Sequence, residues 1–232
     1  MNGLGYVYVS LFLCYNNIVK MEKLRQSVES YGIPDEVLKG IVSDGSKVDF
    51  HSSFEREEFG DTPRERNVHV FLRNTLDETG RVKSFTIEFK NQGRLVGVFA
   101  VAVGVDGGLN VVHRRVDPEY QGYGFGSAAF DIVEMISALS GRAVEVDITE
   151  PDVKTPDGGF AVSAVQLDTL AVLGKRGFLP ADSTALGILQ KIEAKEGFDF
   201  VHPSDSGPKA IPQSREPISV VMRGGVGGGV SG

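Results

Sequence analysis

Between Val116 and Ser127 the chain reads Val-Asp-Pro-Glu-Tyr-Gln-Gly-Tyr-Gly-Phe-Gly-Ser, with glycines at 122, 124 and 126. A helical pattern follows at once: Ala129, Ile132, Val133, Ile136 and Leu139 line one face, and Gly141 ends the run. A glycine-rich turn leading into a helix suits an anion. First-turn N–H groups have no acceptor inside the helix, and the macrodipole adds partial positive charge there. Glycines remove the side chains that would keep a phosphate off those amides, and a diphosphate can span several of them. The spacing G-x-G-x-G differs from the G-x-G-x-x-G of dinucleotide sites, and the Gly-Lys-Ser/Thr ending of a P-loop is absent. Three glycines alone would equally suit a plain turn that packs a helix against a strand, so the flanking residues decide.

Those flanks, V-x-P-x-Y-Q-G-x-G-x-G-S from Val116, resemble the acetyl-CoA signature of the GNAT superfamily of N-acetyltransferases. The signature is Gln or Arg, two residues, Gly, one residue, then Gly or Ala, and here Gln121, Gly124 and Gly126 fill it. Val116 and Pro118 also match. Gln166 to Phe178, closing on Gly177-Phe178, looks like the family's second helix motif, and Ile218 to Arg223 looks like its last strand. The similarity spans roughly Val68 to Arg223. It implies a GNAT-like α+β fold, with a mixed, mostly antiparallel central sheet, a splayed strand pair and helices on both faces. It further implies acetyl-CoA as cosubstrate, with the pyrophosphate at Gln121, Gly122, Tyr123, Gly124, Phe125, Gly126 and Ser127. Pantetheine would run along backbone groups near Arg114 and Val116, and Gln166 takes a family cofactor position. The strand before the loop would splay from a parallel neighbour at Ala143 to Ile148. A backbone amide would polarise the thioester carbonyl as an oxyanion hole does, and an amine would attack directly.

An amine must shed a proton to attack, and the departing thiolate gains from receiving one. His113, on the motif strand, is one candidate base; a histidine facing the sheet surface is the alternative. Glu88, on a neighbouring strand, is a second candidate, against an ordinary surface carboxylate. Glu145 and Asp147 share one strand face and read more simply as solvated. Counting back from Gly177, the tyrosine that usually serves as the family's acid is here Leu173, and the usual Asn is Gln166. Leucine cannot donate a proton. Ser163 or a water substitutes, or the thiolate leaves unassisted, or the protein binds cofactor without efficient catalysis. Arg114 and Arg115 could offer positive charge to CoA phosphates. His51, His69 and His202 show no metal-ligand spacing, so no metal is expected.

The elements that must position these groups are legible in part. Ile18, Met21, Leu24, Val28 and Tyr31 predict a helix stopped by Gly32, and Pro34 opens a second carrying Val37, Leu38 and Ile41. Residues 1–45 read as a strand and helices of the same fold, with a buried strand at Tyr6 to Tyr15. Residues 46–67 read as a charged surface connection, 68–223 as the acyl-CoA-binding core, and 224–232 as a disordered glycine-rich tail. Val68 to Leu72, Val82 to Phe89 and Leu95 to Val105 predict an antiparallel meander, leading into a strand from Leu109 to Val116. Beyond it come a strand at Ala143 to Ile148, helices at Phe160 to Lys175 and Thr184 to Glu196, and a last strand at Ile218 to Met222.

With 24 basic and 31 acidic residues the net charge is −7, which gives no global reason to coat nucleic acid or anionic membrane. The single cysteine, Cys14, excludes an intrachain disulfide and points to a reducing cytoplasm. The apolar run from Tyr6 to Tyr15 is short of the ~20 residues that span a bilayer, lacks the basic flank of a secretory signal, and Phe12-Leu13-Cys14 is a poor lipoprotein cleavage site. Met21 also suits a chain start. The resulting expectation is a cytoplasmic N-acetyltransferase acting on a small-molecule or protein amine, with the choice between monomer and homodimer open. The alternatives are a non-catalytic acyl-CoA sensor of the same fold, and an α/β protein holding some other phosphorylated ligand at the same turn.

Overall fold

The structure, a computed structural model, describes residues 19–57, 62–148, 160–162, 169, 172–181, 198–199, 210–214 and 221–224. The chain divides into two compact units, one ending at Val144 and one running from Glu145 to Gly224.

The first unit opens with helix α1, residues 19–30. Leu24 and Val28 bury the face expected from their spacing. Pro34 precedes α2 (Asp35–Gly40), where Asp35 and Glu36 sit in the first turn and Lys39 in the last, matching the helix dipole. Both helices therefore precede the first described strand.

Five strands then form an antiparallel meander: β1 (Asp49–Glu55), β2 (Asn67–Leu76), β3 (Val82–Asn91), β4 (Arg94–Val103) and β5 (Leu109–Val116). The short helix α3 (Pro63–Arg66) links the first two. Strand β1 corrects the expectation of a surface connection over 46–67. Its charged residues hide a period of two, in which buried Phe54 lies opposite Val68 while Glu55 and Ser53 face outward. Alternation holds in β2 and β3 and extends to β4: Val68, Val70 and Leu72, then Phe85, Ile87 and Phe89, then Phe99 and Val101, all bury on one face. Against that face packs α4 (Phe125–Ser140), with Phe99 edge-on to Phe130 at 6.0 Å and Phe89 at 5.2 Å from Phe125. Helix α1 is tied to α4 by polar contacts. Ser27 Oγ and Tyr31 Oη donate to Asp131 Oδ2 at 2.6 and 3.2 Å, and burial raises the Tyr31 pKa.

The β2–β3 turn is set by Asp77, whose carboxylate accepts from the Thr79 hydroxyl and from the N–H groups of Thr79 and Arg81. Those bonds, that from the Thr79 hydroxyl first, hold it below the usual carboxylate range.

One buried polar residue fastens the chain after α2 onto the sheet. Asn74 Nδ2 donates to Ile41 O at 3.2 Å and Ser46 O at 2.7 Å, and its Oδ1 accepts from Val48 N at 2.8 Å. Removing the amide leaves three backbone groups without that partner, so Asn74→Ala should cost about 1–3 kcal/mol in a denaturant melt. A loss under about 0.5 kcal/mol would show that this connection is not held by Asn74.

Strand β5 departs from regular pairing. Val111 lies opposite Val101 and His113 opposite Ala100, so Val112 is an extra residue, a β-bulge that bends the strand. Beyond it, Arg114 stands opposite Phe99 and Val116 opposite Gly97, which puts both on the face that carries α4. Leu109 N donates to Ala143 O at 2.8 Å.

β6 (Val144–Asp147) begins at the unit boundary, with Val146 buried and Glu145 and Asp147 on the other side. In the second unit β11 (Val221–Gly224) pairs antiparallel with β8 (Leu179–Pro180), and Arg223 bonds the Glu145 carboxylate, with Nε at 2.8 Å. A separate three-stranded sheet holds β10 (Ala210–Ser214) between β7 (Phe160–Val162) and β9 (Phe198–Asp199). Phe160–Val162 are thus extended, which corrects the expected helix start at Phe160. Residues 172–175 are helical (α5). The last described strand reaches Gly224, two residues past the expected end, and the expected start at Ile218 lies outside the described residues. The expected strand at Tyr6 to Tyr15, the helix at Thr184 to Glu196 and the tail from residue 225 lie outside the described residues.

Candidate active site

The site is built where β1 and β5 leave the sheet. Asp117 N donates to Val96 O at 2.9 Å, and a 3-10 turn over Pro118–Tyr120 follows, with Asp117 capping Glu119 N. Arg94 clamps this turn from the start of β4. Its guanidinium pairs with Asp117 at 2.8 Å and Glu119 at 2.7 Å and stands over the Tyr120 ring. Both loop carboxylates are therefore paired with one guanidinium beside the glycines.

The glycine turn takes the shape that its sequence asks for. Gly122 has φ +84° and Gly124 φ +79°, conformations that side chains bearing Cβ rarely adopt. Gly124 is the N-cap of α4, and the first intrahelical bond runs from Ala128 N to Gly124 O at 2.9 Å. The amides of Phe125, Gly126 and Ser127 precede that bond. The cap has no side-chain hydrogen bond and the first turn has no acidic residue, so nothing on the helix offsets the positive end of its dipole. A Cβ placed on Gly122 or Gly126 would meet nothing within 4 Å, so the approach to those amides is open. Phe125 is buried under Phe89 and anchors the first turn, while Gln121, Tyr123 and Ser127 face solvent.

One residue that the motif does not contain also reaches the turn. Arg56, directly after β1, donates from Nη1 to Tyr123 O. Its guanidinium carbon lies 5.7 Å from the Phe54 ring centre and 5.5 Å from that of Phe125. Sequence reasoning missed Arg56 because it stands in the charged run Glu55-Arg-Glu-Glu, and only the period of two in β1 could have revealed where that strand ends.

Of the candidate site residues, the turn from Gln121 to Ser127 and the backbone of Arg114 and Val116 are contiguous at the end of β5. His113 and Glu88 share the sheet face opposite α4, but they are not neighbours. Glu88 stands opposite Val98 and His113 opposite Ala100, two strands apart. His113 is exposed, whereas Glu88 lies 3.6 Å from both Arg73 and Lys90. The β1–β2 register brings His51 Nε2 to 2.8 Å from His69 Nδ1. Among the described residues no three His, Cys, Asp or Glu side chains group as a metal site. Gln166, Ser163 and His202 lie outside the described residues.

Leu173, at the position the resemblance gives to a tyrosine, is fully buried. It ends α5 in a Schellman arrangement: Gly177 has φ +85°, Gly177 N donates to Gly174 O and Phe178 N to Leu173 O, both at 3.0 Å.

No protein-family model matches the chain, and no curated protein matches its sequence. Among solved structures, the chain is similar to the ribosomal-protein-S18-alanine N-acetyltransferase from Escherichia coli (14% identity, 61% of this chain and 68% of that one, TM-score 0.34). It is also similar to a GNAT family acetyltransferase from Elizabethkingia anophelis with acetyl-CoA bound (11% identity, 62% and 77%, TM-score 0.38). A Bacillus subtilis acetyltransferase in complex with CoA is a third (14% identity, 61% and 76%, TM-score 0.35). Likeness at this level carries neither substrate nor mechanism. In its own elements the chain has an α+β fold: an antiparallel meander, a bulged strand, a glycine turn and an amphipathic helix. No described helix is long and apolar enough to cross a membrane.

Proposed function

We propose that this chain is an acyl-CoA-dependent N-acyltransferase, with acetyl-CoA its first candidate cosubstrate and an amine the acceptor. The observation that carries the reading is the turn itself. Gly122 and Gly124 hold positive φ in front of a sixteen-residue helix whose first turn has no acid and no side-chain cap. That supports an anion site, and the residues around it are those of the acetyl-CoA signature. In the reaction, the amine nitrogen forms a bond to the thioester carbonyl carbon and the C–S bond breaks. The CoA thiolate leaves, and the ammonium proton passes to a base. His113, exposed on the motif strand, is the better placed of the two base candidates, because Glu88 is engaged by two cations. Backbone N–H groups near Arg114 and Val116 are the candidates for polarising the thioester.

Two measurements test this. Acetyl-CoA should raise the thermal midpoint, with a gain of about 2.7 kcal/mol at a hundredfold excess over Kd. No shift with acetyl-CoA, CoA or longer acyl-CoAs at millimolar concentration would sink the reading. Release of free thiol in the presence of a panel of amines then separates turnover from binding. The second reading, a non-catalytic acyl-CoA binder, draws on Leu173: a thermal shift with no thiol release from any amine would favour it.

A further inference from the structure

We propose that Arg56 is the side-chain cation of the pyrophosphate site, delivered to the glycine turn by the end of β1. The inference rests on the acyl-CoA reading of that turn. A diphosphate carries about two negative charges, and amides with a helix dipole offset only part of them. The loop cannot supply a cation. From Asp117 to Ser140 there is no Lys, Arg or His; Arg94 is held by Asp117 and Glu119, and on β5 Arg114 and Arg115 both precede the turn, with Arg115 opposite Val98 on the sheet face away from α4.

Arg56 meets the requirement from outside the motif. It sits half-buried between Phe54 and Phe125, its Nη1 on Tyr123 O, and a Cβ on Gly124 would lie 2.8 Å from that same nitrogen. Its companions in the sheet behave differently. Arg73 pairs with Asp49 and Glu88, and Arg94 with two acids. Arg56 has no carboxylate partner among the described residues, although it is drawn in against two rings. A guanidinium has five N–H donors in a planar fork. One donor on Tyr123 O fixes the group beside the turn and leaves others for phosphate oxygens. The rings hold the plane in place, so little side-chain freedom remains to be lost when an anion arrives. Arg56 is thus a binding residue, and the backbone bond of Arg56 N to Arg66 O at 2.9 Å places it by closing the end of the β1–β2 hairpin.

The test is titration of CoA and of 3′-dephospho-CoA into the full chain and its Arg56→Gln, Arg56→Lys and Arg81→Gln variants, with melts of each without ligand. Arg81 lies in the exposed β2–β3 turn and controls for net charge. Arg56→Gln should raise the Kd of both ligands by about ten- to a hundredfold, since a charged hydrogen-bond donor is lost. Arg56→Lys should lose several-fold, keeping the charge but not the fork, and Arg81→Gln should match the parent. The proposal is overturned if Arg56→Gln binds CoA as the parent does. It is overturned equally if the loss disappears with 3′-dephospho-CoA, which would move Arg56 to the other phosphate. Should Arg56→Gln fail to fold, Arg56→Lys decides, and a parental Kd there sinks the claim. A parent chain that binds neither ligand removes the acyl-CoA reading itself and this inference with it. Parental binding in Arg56→Gln removes this inference alone.

Discussion

Gly124→Val should lower acetyl-CoA affinity by at least about a hundredfold while the fold persists. Two effects combine at this position. The backbone sits at φ +79°, in the left-handed region, where an L residue loses roughly 1–2 kcal/mol. A β-branched side chain is among the least tolerant there. The new Cβ would also lie 2.8 Å from Arg56 Nη1, closer than real contacts allow. The arginine tip can swing aside, so the clash alone need not unfold the protein, but the swing removes the cation from the turn. The valine methyls meanwhile cover amides that the three glycines leave open. Gly126→Ala provides the contrast. Gly126 lies inside the first turn of α4 with ordinary φ and nothing within 4 Å of its Cβ position, so alanine should stabilise the helix by up to about 1 kcal/mol. The signature accepts alanine at that place, and binding should stay close to parental. Calorimetric titration with a parallel melt reads both. Parental affinity in a folded Gly124→Val would show that the turn is not the phosphate site.

The turn could be read in advance because its demands are local. Positive φ at two positions calls for glycine, and a helix start shows itself in the period of Ala129, Ile132, Val133 and Ile136. The meander was legible for a similar reason: alternation in β2 and β3 is a property of each strand. What was hidden depends on partners distant in the chain. Phe50, Ser52 and Phe54 alternate in β1, but the intervening Asp49, His51 and Glu55 make the stretch look like a solvated connection. Only pairing with β2 turns it into a strand and brings Arg56 to a loop far along the sequence. The bulge at Val112 was equally silent, since an unpaired residue is defined by the register of its neighbour. Phe160 to Val162 misled in the other direction. Their apolar spacing extends a helical pattern, yet pairing with β10 outweighs it.

Position 173 carries the largest expected effect on stability. Leu173 is fully buried and occupies the third residue from the end of α5, with Phe178, also buried, immediately beyond the glycine cap. In a Schellman cap these two places commonly hold an apolar contact that closes the helix. Leu173→Ala should therefore cost about 2–5 kcal/mol. Leu173→Phe and Leu173→Tyr add volume to a site with no exposure and should cost about 1–3 kcal/mol each. Tyrosine should be the worse of the two, because its hydroxyl must find a hydrogen-bond partner at a fully buried position. The same pair of variants decides whether this position has any part in the chemistry. A correctly placed general acid is worth about 10²–10⁴ in rate, far more than the difference in stability between the two rings. The leucine reads as a packing residue, so thiol release normalised to folded protein should be equal for Leu173→Tyr and Leu173→Phe. Equal rates would leave the thiolate to depart unassisted or to draw its proton from water or another side chain. A gain of Tyr over Phe of about tenfold or more would instead place position 173 at the sulfur, and the buried leucine would then be the reason that turnover in the parent is slow.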